Sequence, residues 1–406
     1  MDSKPEQSQL PNSVRLLSTL SDIDRAAWDA CANPGWPSDD PLDSKPQNIT
    51  YNPFLSYDFL SSLEDSGSAC EQSGWYARHL VLEHPGDAPL AVVPAYLKTH
   101  SQGEYVFDHG WADAYERAGG SYYPKLQMSV PFTPVAGRRL LIADQSRRAQ
   151  IEALLAAAIK QVTVRFEASS AHLTFLTKPE WDSLSGMEFL RRTDQQFHWQ
   201  NNGYRSYDDF LAALSSSKRK ALRKERRRAV ENDIEIEWLT GADLTEEHWD
   251  VFFDFYIDTG NRKWGTPYLT REFFSLIGER MADRILLIMA KRQGRYIAGA
   301  LNFIGSDTVY GRNWGCLEDH PFLHFELCYH QAIDWAIANG YQTVEAGAQG
   351  AHKLARGYVP TSTYSAHWIP NAGFRDAIEH YLEQERLHVK MEQQALSAHA
   401  PFKKSE

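Results

Sequence analysis

The hydrophobic pattern of this chain switches repeatedly between period two and period 3.6, the mark of an α/β or α+β protein. Strand-like alternation is predicted over 14–20 and helical spacing over 23–31, with Ser21 or Asp22 as its cap. A Pro/Asp/Ser-rich loop over 33–47 follows, then a helix over 54–63 that ends before Gly67. Three strands are expected in quick succession, at 76–83, 90–97 and 104–111, separated by turn signals at His84-Pro-Gly-Asp and Ser101-Gln-Gly. An aromatic, glycine-rich segment spans 115–133. A helix at 148–160, a strand at 172–176, a helix at 179–190 and a strand at 196–200 close the first half. The second half repeats this order. Helices at 208–214 and 218–232 lead to a strand at 234–239, helices at 246–259 and 270–281, and a meander at 285–291, 296–305 and 308–315. A helix at 325–339, a strand at 343–346, a strand at 363–369 and a helix at 376–398 complete it.

Both halves read βααβββ, then helix, strand, helix, strand. Their third meander strands align as Val106-Phe-Asp-His-Gly-Trp and Val309-Tyr-Gly-Arg-Asn-Trp, which points to an internal duplication. The expected organisation is a disordered tail over 1–12, a first unit over 13–205, and a second over 206–400 that includes a basic linker helix and a C-terminal helix. This element order is that of tandem GNAT-like units with mixed sheets.

Composition narrows the functional class. The chain carries 42 basic and 53 acidic residues, a net charge of −11, which argues against a general nucleic-acid coat but permits a local basic patch. Its four cysteines are scattered and form no C-x-x-C pair, so neither a disulfide framework nor a zinc site is expected. The polar N-terminus has no apolar signal region, and no uncharged run reaches the roughly 18–20 residues of a membrane span. These features suggest a cytoplasmic setting.

The stretch Glu345-Ala-Gly-Ala-Gln-Gly-Ala-His-Lys-Leu-Ala-Arg-Gly-Tyr358 stands out. It gathers ionisable side chains among glycines at the end of an expected strand, where a site and a simple connecting turn are both reasonable readings. The one dense basic run, Lys218-Arg-Lys-Ala-Leu-Arg-Lys-Glu-Arg-Arg-Arg228, offers Lys218, Arg219, Lys220 and Arg223 to nucleic-acid phosphates or an anionic lipid surface. A solvated helix with acidic neighbours is the alternative.

Several longer segments carry a family resemblance. Asn52-Pro-Phe-Leu-Ser, His100-Ser-Gln-Gly-Glu-Tyr-Val-Phe-Asp-His-Gly-Trp, Tyr122-Tyr-Pro-Lys-Leu, Pro131-Phe-Thr-Pro, Gln196-Phe-His-Trp, Lys218-Arg-Lys, Tyr310-Gly-Arg-Asn-Trp-Gly-Cys, Leu323-His-Phe-Glu-Leu-Cys-Tyr and the 345–358 stretch resemble bacterial FemAB-like proteins. Those are described as peptidoglycan biosynthesis/recognition proteins or N-acyltransferases of the GNAT superfamily. The resemblance covers nearly the whole chain. It implies transfer of an acyl or aminoacyl group to an amine, with a peptidoglycan-type precursor as a candidate acceptor and aminoacyl-tRNA or acyl-CoA as candidate donor. No tightly bound cofactor or metal is implied. The chain lacks the coiled-coil arm that some Fem ligases insert, and it lacks a clear Q/R-x-x-G-x-G/A pyrophosphate loop, which counts against acetyl-CoA. Non-catalytic glycopeptide recognition and CoA-dependent acetylation of a small amine remain alternatives.

N-acyl transfer needs an amine deprotonated, a carbonyl polarised and the two held together. Against that requirement Glu345 or His352 is a candidate proton acceptor. Lys353 and Arg356 could bind a phosphate or steady an oxyanion, and His352-Lys353 followed by Gly357 is similar to an aromatic-lysine step of Fem ligases. His324 and Glu326, at a helix start, are candidate substrate contacts. His330 and Asp334, on the same helix face, read better as solvated. In the first half Asp108, His109, Tyr123 and Lys125 could line an acceptor groove, although for any single aromatic around them a place in the core is the better reading. His198 reads equally as a site residue and as a satisfied buried histidine.

Overall fold

The computed structural model describes residues 11, 13–36, 50–263, 267–347 and 350–403. The expected tail over 1–12 (residue 11 apart), most of the 33–47 loop and the centre of the 263–267 loop lie outside the described residues. The strands are β1 (Arg15–Leu17), β2 (Trp75–Ala77), β3 (His79–Leu82), β4 (Ala91–Val93), β5 (Tyr96–Lys98), β6 (Lys125–Met128), β7 (Leu141–Ile142), β8 (Ala171–Leu176), β9 (Leu190–Gln200), β10 (Ile234–Leu239), β11 (Ile285–Arg292), β12 (Arg295–Ile304), β13 (Thr308–Cys316), β14 (Thr343–Glu345) and β15 (Val359–Trp368).

Eleven of them form one sheet in the order β10-β11-β12-β13-β14-β9-β15-β8-β6-β5-β2, and β1-β3-β4-β7 form a second. The large sheet reads the same way from either side of its middle. β13 and β14 are parallel, as are β6 and β8. Outside each parallel pair lies an antiparallel meander, and inside it an antiparallel partner. The two halves exchange their last strands. β9, the end of the first half, pairs with β14, whereas β15, the end of the second, pairs with β8; β9 and β15 then pair with each other from Val359↔His198 to His367↔Leu190. The two halves therefore share one continuous hydrogen-bonded sheet.

The second half shows why these sequences choose these elements. β11 (ILLIMAKR) is apolar on both faces, as a strand covered by helices on each side must be. One face packs Leu287 and Met289 against Trp249, Phe252, Phe273 and Phe274. The other packs Leu286 and Ile288 against Leu327, Ile333 and Ala336. Gly315 on β13 is required for the first contact, because a Cβ there would stand 2.2 Å from the Phe255 carbonyl oxygen.

Two sequence expectations fail in the first half. Residues 104–111 are not a strand: they form an irregular turn, with Tyr105 at φ 60°, that runs into helix His109–Arg117. The Val-aromatic-x-x-x-Trp alignment therefore equates a loop with a strand and does not reflect the pairing of the halves. The strand that counterparts β13 is β6, hidden in the segment 115–133. Lys125 disguised it, because a lysine at the centre of a sheet is rare unless its charge is paired. Boundaries move elsewhere too: the helix expected over 179–190 stops at Ser185, and β9 begins at Leu190.

Among the described residues no helix is long and apolar enough to cross a membrane.

Candidate active site

β13 and β14 run side by side only at Thr308↔Thr343, Val309↔Val344 and Tyr310↔Glu345. β14 then ends while β13 continues to Cys316, which opens a wedge in the sheet. A helical run, Leu323–Ala338, faces the wedge with its first turns; its Glu326–His330 portion is π-helical, a feature often found where side chains must be re-aimed at a site. A cavity of about 100 Å³ occupies the wedge, lined by Asn302, Arg312, Trp314, His324, Cys328 and Tyr329 among others.

Glu345 stands at the end of β14, almost fully buried. Arg312 Nη2 donates to its Oε1 at 2.8 Å, and His198 Nε2 lies 3.9 Å from its Oε2. His198 arrives on the exchanged strand β9, directly in register with Glu345. Its ring contacts Gln196 Oε1 at 3.2 Å, and burial lowers its pKa. The Arg312 guanidinium sits over the Phe54 and Tyr310 rings, with its Nε–H unpartnered among the described residues.

Beyond Glu345 the chain turns through a 3₁₀ segment, Ala351–Arg356, bounded by Gly350 at φ 122° and Gly357 at φ 87°. These are conformations that glycine adopts without strain. Gln349 and Ala348 lie outside the described residues. Lys353 points inward and is 2% exposed. Its Nζ donates to the Gly347 carbonyl at 2.9 Å. Burial pulls its pKa down to about 8, with the Glu345 charge acting in the opposite direction. His352 is exposed and meets the Tyr329 hydroxyl at 2.9 Å; loss of hydration and the Arg356 and Lys353 charges lower its pKa. His324 joins the same aromatic group, 5.0 Å from the Trp314 ring and 6.5 Å from that of His352.

Other expected site residues are engaged elsewhere. Arg356 forms a bidentate pair with Glu225 at 2.7 and 2.8 Å and stacks 3.5 Å above Phe325. Glu326 is held by Arg226 at 2.9 Å, and Asp334 by the same guanidinium at 3.1 Å. His330 is fully buried between Tyr207 and Glu225 rather than solvated. All of these partners lie on or beside helix Ser216–Ala229. The dense basic run therefore has an inner side that docks onto the wedge helix and an outer side facing solvent. Lys218 and Lys220 are exposed, Arg219 is half-buried, and Arg223 pairs with Asp208 at 2.9 Å.

Of the residues expected to line an acceptor groove in the first half, Asp108 and Lys125 are buried. Lys125 is fully buried, and its Nζ donates to Ser101 Oγ and Glu104 Oε2, each at 2.7 Å, and to Asp108. Tyr122 also donates to Asp108, and Tyr123 meets Ser101. Asp108 and Lys125 are thus internal. Only His109, stacked on the exposed Phe107, faces solvent, and His109→Ala is expected to change stability by less than about 0.5 kcal/mol in a urea titration. The wedge that should open between β6 and β8 is closed by the chain itself: Gly137 N–H donates to the Phe175 carbonyl, and the buried Arg139 donates to the carbonyls of Thr174 and Val135.

The structure thus brings Glu345, His352, Lys353 and His324 together around one wedge. Sequence reasoning missed Arg312 and Asn302, which complete it. Asn302 is a lone polar group in the apolar run of β12, and that was an available signal; Arg312, beside Asn313 on β13, carried none. Among the described residues no cluster of three or more His, Cys, Asp or Glu is placed to hold a metal.

These features agree with the comparisons to known proteins. Residues 19–404 match the FemAB-like family, described as peptidoglycan biosynthesis/recognition, and the chain belongs to that family. The crystal structure of FemX superposes with a TM-score of 0.53 at 13% identity, covering 88% of this chain and 98% of that one. A tandem GNAT protein from the clavulanic acid biosynthesis pathway gives 0.45 at 10% identity, with 88% and 98% covered. L-PGS from Bacillus licheniformis gives 0.49 at 9% identity, with 83% and 99% covered. The family match and the FemX superposition together make this a FemAB-like fold. No curated protein matches the chain.

Proposed function

We propose that this protein is an N-acyltransferase that moves an acyl or aminoacyl group onto an amine of a peptidoglycan-type precursor, with the reaction in the β13–β14 wedge. The observation that carries this reading is a buried carboxylate, Glu345, held by Arg312 at a strand end, with the partly desolvated Lys353 nearby. Glu345 takes the amine proton, directly or through a water, while Lys353 and Arg312 stabilise the oxyanion of the tetrahedral intermediate; as that collapses to the amide the donor's ester or thioester bond breaks, and the tRNA hydroxyl or CoA thiol leaves with the proton returned from Glu345. His352 and His324 border the entrance. Family membership supports the acceptor class.

The turn between β13 and its helix supports a donor other than acetyl-CoA. It reads Leu317-Glu-Asp-His-Pro-Phe322, and two carboxylates near a helix start oppose a pyrophosphate. An aminoacyl-tRNA, with the outer side of helix Ser216–Ala229 meeting its phosphates, fits better. We place the reaction on the cytoplasmic side.

The test is transfer of a labelled aminoacyl group from charged tRNA, or a labelled acyl group from acyl-CoA, to an amine-bearing muropeptide. Lys353→Met should lower turnover about 100-fold, the usual scale for losing one oxyanion donor. Wild-type turnover should fall above pH about 8, where the Lys353 cation is lost. Undiminished turnover in the variant removes Lys353 from the mechanism. Ligand binding with no turnover by the wild type makes the protein a recognition module.

A further inference from the structure

We infer that a second cavity, at the outer end of β13, is a docking site for a protonated primary amine and serves as the port through which the acceptor enters the wedge. The inference rests on the transfer reading for its role in the reaction, but not for the binding itself.

The cavity measures about 240 Å³ and is lined by Thr259, Trp314, Cys316, Glu318, Asp319, His320, Leu323 and His324. It shares Trp314 and His324 with the inner cavity, so the two adjoin through those side chains. Its polar groups are chiefly acceptors. Asp319 is exposed and in no ion pair among the described residues. The Thr259 hydroxyl is buried and has no hydrogen-bond partner among them. Glu318 contributes a second carboxylate, shared with Arg292 at 2.8 Å and His320 at 2.9 Å. With Arg292 offsetting one carboxylate, Asp319 leaves the port negative. The Trp314 indole forms one wall, a surface that favours a cation over a neutral group. An ammonium has three N–H donors and no acceptor, which suits this set of groups.

The inner cavity continues the path. Asn302 is 1% exposed, and its Oδ1 is an unpartnered acceptor there; Arg312 Nε–H is an unpartnered donor in the same cavity. Buried polar groups are rarely left unpaired, so a ligand offering both a donor and an acceptor is expected between them. Polarity also changes along the path. The port favours the ammonium, whereas farther in Glu345 offsets Arg312 and the Lys353 charge disfavours the ammonium and favours the neutral amine. Only the neutral amine has the lone pair that attacks a carbonyl. The port thus selects a free primary amine by charge, and the wedge prepares it by the opposite charge.

The experiment is isothermal calorimetry of the full-length protein with Nα-acetyl-lysine methylamide, whose ε-ammonium is free, and with its Nε-acetylated counterpart. Binding is read with no acyl donor present, so the result is decided whether or not transfer occurs, and Lys353→Met decides the transfer reading separately. The free amine should bind and the acetylated one should not. Asp319→Asn and Glu318→Gln should each weaken binding by about fivefold, and Thr259→Val by a smaller factor. Asp319 is on the surface, so its variant retains the fold. Equal binding of both ligands, no binding by the wild type, or unchanged affinity in the double variant Glu318→Gln/Asp319→Asn would overturn the inference.

Discussion

Glu345→Gln is expected to lower stability by about 3–5 kcal/mol, because it leaves the Arg312 guanidinium buried without its counter-charge. The side chains of both partners are about 5% exposed or less, and their contact is a direct 2.8 Å hydrogen bond. The buried guanidinium of Arg139 also draws on the Glu345 charge and would lose it. Urea denaturation measures the loss. The pair is then tested by Arg312→Met/Glu345→Leu, which removes both charges and should recover much of the stability, since a buried pair is worth little against an apolar replacement of similar volume. Turnover should not recover in the double variant, because the proton acceptor and an oxyanion donor are both gone. Recovery of stability without recovery of turnover separates the structural part of Glu345 from its chemical part. A single variant as stable as the wild type would mean that the Arg312–Glu345 pair is not closed in solution.

Much of the architecture was legible in the chain because it lies in local periodicity. The meander β11–β13, the helices flanking it and the wedge helix fall close to where the apolar spacing puts them. What could not be read is how distant segments meet. The exchange of β9 and β15 leaves no local trace, since each is an ordinary strand whichever neighbour it takes. That exchange is why His198 stands beside Glu345, 147 positions away in the chain. The candidate site was half legible for the same reason. Glu345, His352 and Lys353 sit in one glycine-bounded stretch and announce themselves together. Arg312 and Asn302 come from neighbouring strands, and only the sheet register brings them to the same wedge. Arg356 and Glu326 were misread because their sequence context gives no hint of Glu225 and Arg226, a hundred or more positions earlier, which hold them.

Lys125→Met is expected to destabilise the protein by about 3–5 kcal/mol while leaving turnover per folded molecule unchanged, since it strands two buried carboxylates far along the sheet from the wedge. The loss should depend on pH in a definite direction. Burial pushes Glu104 up to about 7 in the native protein, so below that pH it is neutral and needs no cation. Although its burial acts in the opposite direction, the Lys125 charge holds Asp108 well below the ordinary carboxylate range. Its stabilising contribution is therefore present above the unfolded value of about 4 and is lost as the pH falls further. At pH 8 the wild type holds both carboxylates charged on Lys125, and the variant must either strand or protonate both; at pH 5 Glu104 is already neutral in the wild type, so the variant loses the partner of Asp108 alone. The difference in stability between wild type and variant, from urea titrations at the two values, should be larger at pH 8. Burial against Trp75 pulls the neighbouring Lys98 down to about 7 in the wild type, and the Lys125 charge adds to that lowering. An equal or smaller loss at pH 8 would show that Glu104 and Asp108 do not depend on Lys125. A fall in turnover matching that of Lys353→Met would return the 104–125 network to the candidate site.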